Sequence, residues 1–181
     1  MTPKNKFSMM NMKLLALSLL LPLSCTPRLG VRGSGNNDKP QGAAVAYEYS
    51  YSNTMMYPVT YYRVNRGPAG DVKIAWSADN EPDIRVIRGP EDFFDRVDAI
   101  VKEYRLYKLK RSYLPTMEIL DGYMWHAAIE FEGSYLSTGG SNAWPPSRLN
   151  EGIYAINGII SQCIDASTAA DIIDRRSHND R

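Results

Sequence analysis

Few residues in this chain are suited to acid–base or nucleophilic chemistry. There are two histidines. His178 lies close to the end, and His126 lies in "MWHAAIEF", where alternation puts His126 and Glu130 on one face of a strand. A histidine beside a carboxylate, Glu130 or the nearby Asp121, is the acid–base pair a small hydrolase would use. The two cysteines are Cys25 and Cys163. Cys163 sits among Ile159, Ile160, Gln162 and Ile164, on the apolar side of an expected helix, so a buried and inert thiol is expected there. A catalytic cysteine would want a histidine or cations around it. No His/Cys/Asp cluster has metal-ligand spacing, and no cofactor is expected.

"GGSNAWPP", residues 139–146, has glycines ahead of a helix start, as an anion site would. Pro145 and Pro146 remove two of the N–H donors such a site needs, and no lysine follows as in a phosphate loop. The segment reads more simply as a strand exit, with Trp144 held extended before proline and covering the helix end. Twelve tyrosines and three tryptophans make a stronger binding signal. Tyr47, Tyr49 and Tyr51 alternate along one face of a strand, and Tyr61 follows in the next. Aromatic faces stack on sugars and suit protein contacts. These four and Trp144 are therefore the candidate contacts for a protein or glycan partner, set against ordinary half-buried packing of tyrosine in a sheet.

The elements that would position these residues form an α+β pattern. "AVAYEYSYS", "MMYPVTYYRV", "DVKIAW" and "IRVIR" read as strands separated by turns at "GPAG" and "ADNEPD". Gly89-Pro90 opens a helix over about 90–108, acidic early and basic late, with a stripe of Phe94, Val97, Val101 and Tyr104. "YMWHAAIEF" and "SYLST" form a hairpin around Glu132-Gly133, and a second helix follows over about 146–164. The expected fold is an antiparallel sheet of about six strands with two amphipathic helices packed on one face, in the order ββ-ββα-ββα. The domain is expected over 43–166 and a frayed tail over 167–181, with one short helical turn near Ile172.

The front of the chain has a different character. Lys4, Lys6 and Lys13 precede an apolar run from Leu14 to Leu23, broken only by Ser18 and Pro22. The run is too short to span a bilayer, which takes about 20 residues, and its basic start and small flanking Ser24 describe a secretion signal over 1–24. Met9, Met10 and Met12 are further possible translation starts. "LPLSC" resembles the cleavage box of bacterial lipoprotein signals, with Pro22 where leucine is usual; looser boxes of this sort are familiar in Bacteroidota. The resemblance implies that Cys25 is acylated and becomes the new N-terminus. Residues 25–42, rich in Gly, Asn and Pro, then serve as a flexible tether. Thr26 in place of an acidic residue implies the periplasmic face of the outer membrane, the alternative being a secreted or soluble periplasmic protein.

The stretch "MWHAAIEFEGSYLSTGGSNAWPPSRLNEGI" resembles a pattern in uncharacterised bacterial proteins, including Bacteroidota lipoproteins. A Trp-bearing strand turns, returns, and ends in a Gly-x-Asn-x-aromatic-Pro break before a helix. That likeness implies a fold and no chemistry. Charge excludes one partner class. The formal charge of +1 falls to −2 once the three leader lysines are removed, which leaves no footprint for nucleic acid. The expected function is a membrane-tethered, non-enzymatic module that binds a protein or a glycan; the alternative is a cell-envelope hydrolase built on His126. Expressed in a Gram-negative host with labelled palmitate, the chain is expected to incorporate label through Cys25. Label that persists in Cys25→Ser would overturn the acylation.

Overall fold

A computed structural model describes residues 30–53, 58–78, 81–117, 119 and 122–178. In chain order these hold β1 (Val31–Asn36), β2 (Ala44–Ser52), β3 (Thr60–Arg66), β4 (Val72–Ala78), β5 (Asp83–Arg88), α1 (Phe93–Tyr104), β6 (Lys110–Pro115), β7 (Met124–Phe131), β8 (Ser134–Ser141), α2 (Ser147–Ala166) and β9 (Asp174–Ser177). Single turns of 3-10 helix lie at Leu106–Lys108 and Ala169–Asp171. The strands form one sheet in the order β1-β6-β8-β7-β2-β3-β4-β5-β9. Among the described residues no helix is long and apolar enough to cross a membrane.

The mixed α+β class and the six expected strands are present, as β2 to β5, β7 and β8. The count of six is corrected to nine, and the pairing is not wholly antiparallel, because β6 runs parallel to β8 through Tyr113 and Gly140. The three extra strands share a cause. All six residues of β1 are exposed, β9 buries none, and β6 buries only Tyr113. They are held by backbone pairing, β1 to β6 and β9 to β5, and so carry no apolar alternation. The expected domain of 43–166 is corrected with them, since the sheet reaches from residue 31 to residue 177. Part of the expected tether is β1, and Asn37 pins its end by donating to the Leu109 carbonyl and accepting from the Ser137 amide.

Register decides which side chains meet the helices. Tyr47 lies opposite Ile129 and Val64, Tyr49 opposite Ala127 and Tyr62, and Tyr62 opposite Trp76. This face carries both helices. Tyr47 Oη donates to Asn157 Oδ1 of α2 at 2.7 Å, and the Ala44 amide donates to Asp98 of α1 at 3.2 Å. α1 buries Phe93, Phe94, Val97 and Val101. It ends earlier than expected because Arg105 turns left-handed (φ 57°) and passes the chain into the 3-10 turn. α2 begins directly after Pro146 and buries Ile153, Ile156, Ile159 and Ile160.

The "GGSNAWPP" segment closes one end of this core. Asn142 adopts φ 51°, its backbone amide donates to the Tyr123 carbonyl, and its Oδ1 accepts from the Tyr123 amide. Trp144 then stacks on Trp125, with ring centroids 4.9 Å apart and planes 11° apart. Trp125 Nε1 donates to the Ala143 carbonyl at 2.7 Å. Gly140 makes this approach possible, because a Cβ there would lie 2.6 Å from Trp125 Nε1.

Two glycines of α2 are set apart by what surrounds them. Gly152 is buried against α1, where a Cβ would come within 2.7 Å of both Leu106 and Tyr104, whereas a Cβ on Gly158 would meet nothing within 4 Å. Gly158→Ala is therefore expected to stabilise the protein by up to about 1 kcal/mol. Gly152→Ala is expected to destabilise it by roughly 1–3 kcal/mol through overpacking. Urea unfolding of the two variants checks both signs.

Candidate binding groove

Among the described residues the second face of the sheet carries no helix. Alternation brings Tyr61, Arg63 and Asn65 of β3 to it, with Lys73, Ala75 and Ser77 of β4 and Ile84 and Val86 of β5. The chain after α2 borders this face and is ordered through residue 178, which corrects the expected frayed tail. The Ile173 amide donates to the Val86 carbonyl, β9 pairs with β5, and the His178 amide donates to the Pro82 carbonyl. His178 Nε2 lies 2.9 Å from Ser77 Oγ, and its ring meets Tyr61 edge-on at 5.2 Å.

Between β3, β4, β5 and β9 lies a groove of about 310 Å³. Its floor is Tyr61, Ala75, Ile84 and Val86, and its rim carries Arg63, Lys73 and Arg176. Lys73 pairs with Asp71 at 3.6 Å and Arg176 with Asp174 at 2.9 Å. Both pairs are about half exposed, so water screens them and an incoming anion competes with them at little cost. A second hollow of about 180 Å³ adjoins the groove and shares Arg63 and Asn65 with it. Glu48, Glu130 and Tyr135 line that hollow, and Glu48 stands across from Arg63 in the β2–β3 register. The helix-free face is therefore basic over β3, β4 and β9 and acidic over β2 and β7.

The expected contact residues fall elsewhere. Tyr47 and Tyr49 are buried under the helices, and burial pushes both phenols well above their usual range. They are packing residues and not a contact surface, which corrects the reading of that row. The strand alternates as expected, but the face it presents is the covered one. Tyr51 lies on the same side within the stack of Tyr123 and Trp144. Tyr61 alone of the tyrosines chosen faces the groove, buried beneath His178. Trp144 is half-buried, with rings of Trp125, Tyr123, Tyr51 and Tyr154 all within 6.3 Å. Cys25 and Asp121 lie outside the described residues. Cys163 is half-buried instead of buried, and burial raises its thiol pKa while Arg96 opposes the rise.

His126 lies on the helix-free face with Nε2 3.2 Å from Ser137 Oγ. Its contact is therefore a hydroxyl and not Glu130, which is exposed on the same strand. The Ser137 amide already donates to Asn37 Oδ1, so it is not available to hold a developing oxyanion. Among the described residues no group of three His, Cys, Asp or Glu side chains is placed to hold a metal ion. The groove residues carried little signal in the sequence. Arg63 and Lys73 are polar positions of alternating strands, and Arg176 belongs to a strand without apolar periodicity. Comparison with family models, with curated proteins and with solved structures found no match to this chain.

Burial lowers the His126 pKa, with the Glu48 carboxylate opposing the shift. The unfolded chain then binds the His126 proton more readily than the folded one, near pH 6.5. This contribution to stability is complete above that pH and is lost as pH falls through it. His126→Gln is expected to flatten the decline in unfolding free energy between about pH 7.5 and about pH 5. Parallel urea titrations of wild type and variant measure it, and identical slopes would remove His126 as the titrating group.

Proposed function

We propose that this chain is a membrane-tethered lipoprotein of the cell envelope, acylated at Cys25 and facing the periplasm from the outer membrane. Its role is binding, not catalysis, and its partner is an acidic segment of another protein held in the groove on the helix-free face. One observation carries the choice of partner: Arg63, Lys73 and Arg176 surround an apolar floor of Tyr61, Ala75, Ile84 and Val86. Such a groove suits a carboxylate-bearing segment with an apolar side chain beside it. A glycan is less well served in the groove, because Tyr51 and Trp144, two of the rings expected to stack on sugars, are packed with Tyr123 and Trp125 on the other face. The hydrolase alternative has the weaker support, since among the described residues His126 contacts the Ser137 hydroxyl and not Glu130.

A photo-crosslinking amino acid at Asn65, in cells that export the protein, tests the reading. Mass spectrometry is expected to find an acidic peptide of an envelope protein at that position. Reversal of two rim charges, Arg63→Glu with Arg176→Glu, is expected to weaken capture roughly tenfold or more. Crosslinks that survive the reversal undiminished, or that join only glycan, would overturn the groove assignment.

A further inference from the structure

The edge where β1 enters the sheet is unusual for a surface. Val31 is 48% exposed, Leu114 50%, Met117 64% and Met124 61%. They gather at one end of the sheet. Val31 pairs with Pro115, Leu114 lies across from Arg32, and the Thr116 amide donates to the Gly30 carbonyl. β6 and β8 run parallel, so their C-terminal ends lie together, and Met124 at the start of β7 pairs with Ser141 at the end of β8. Exposed apolar side chains gathered in this way mark a contact site. One cation stands beside them. Arg32 lies at this end, across from Leu114, whereas Lys110 and Arg111 lie towards the other end of the β1–β6 pair, where Lys110 Nζ donates to Asn36 Oδ1.

We propose that this end of the domain is a membrane-contact surface, seated on the headgroup layer of an anionic phospholipid leaflet. The inference rests in part on acylation of Cys25, which sets a distance. From Cys25 to Gly30 the chain can span at most about 18 Å. That is shorter than β2 alone, whose nine residues run about 30 Å. An acylated Cys25 therefore cannot hold the domain clear of the membrane, and the end bearing Gly30 is the one brought down to it. Met117, Met124, Leu114 and Val31 enter the interface there, while Arg32, across from Leu114, meets a lipid phosphate. The bilayer is favoured over a second copy of the chain because the apolar end is the end that bears Gly30, at most about 18 Å of chain from the acylated Cys25.

The test uses residues 25–181 with Cys25→Ser, which contain every described element and cannot be acylated. Sedimentation with vesicles of phosphatidylethanolamine and phosphatidylglycerol at low salt reads the affinity of the surface itself. Wild-type sequence in this form is expected to pellet with the vesicles and to be released by salt. Leu114→Glu, Met117→Glu and Met124→Glu together are expected to weaken binding roughly tenfold or more. Arg32→Glu is expected to weaken it roughly fivefold, with thermal melting unchanged in both variants because the side chains are exposed. Equal pelleting of variants and wild type overturns the proposal, as does failure of the wild type to bind or a dimer that the triple variant dissolves. Palmitate labelling of the exported chain is scored separately. Vesicle binding without labelling would withdraw the Cys25 anchor and leave the contact surface standing.

Discussion

Tyr47 is buried at the centre of the sheet, and a buried hydroxyl without a partner would cost on the order of 1–3 kcal/mol. Its bond to Asn157 meets that need and at the same time sets where α2 lies across β2. The rest of the arrangement depends on this contact. With α2 in place, Ile153, Ile156 and Ile160 join the one buried cluster that holds Tyr49 and Ile129, and α1 packs beside it with Gly152 approaching Tyr104 and Leu106. Asp98 holds α1 at the start of the same strand through the Ala44 amide. Two polar bonds from β2 thus orient both helices, and apolar contacts supply the bulk of the stabilisation.

Covering one face in this way leaves the other open, and the two faces then have different chemistry. The helix side holds the aromatic stack around Trp125 and Trp144, closed by the left-handed turn at Asn142. The open side holds charge: Glu48 and Glu130 over one half, Arg63, Lys73 and Arg176 over the other. The segment after α2 returns to pair with β5 and places His178 over Tyr61, so the groove is bounded on one side by the C-terminal strand. The proposed tether at the end that bears Gly30 would leave the groove on the charged face accessible from the side.

Both helices and the six inner strands were legible in the sequence because each buries a periodic face. Phe94, Val97 and Val101 recur at helical spacing, and Val72, Ile74 and Trp76 alternate as in a half-buried strand. Arg105 shows where local pattern stops short. The helix expected to about residue 108 runs on past it, but its left-handed backbone turns the chain, and nothing in the residue type announces that.

What the sequence by itself determined was the α+β class, with its two helices and six inner strands. Those follow from composition and periodicity, which are local properties. The tertiary structure decided which face of each strand was covered. That choice turned the Tyr47–Tyr49 row from a proposed contact into core and brought Arg63, Lys73 and Arg176 together from three strands. It also made strands of residues 31–36, 110–115 and 174–177, whose side chains are mostly exposed and whose place is held by hydrogen bonds to a neighbouring backbone. Backbone pairing of that kind is set by register with a distant segment and leaves no mark on side-chain pattern.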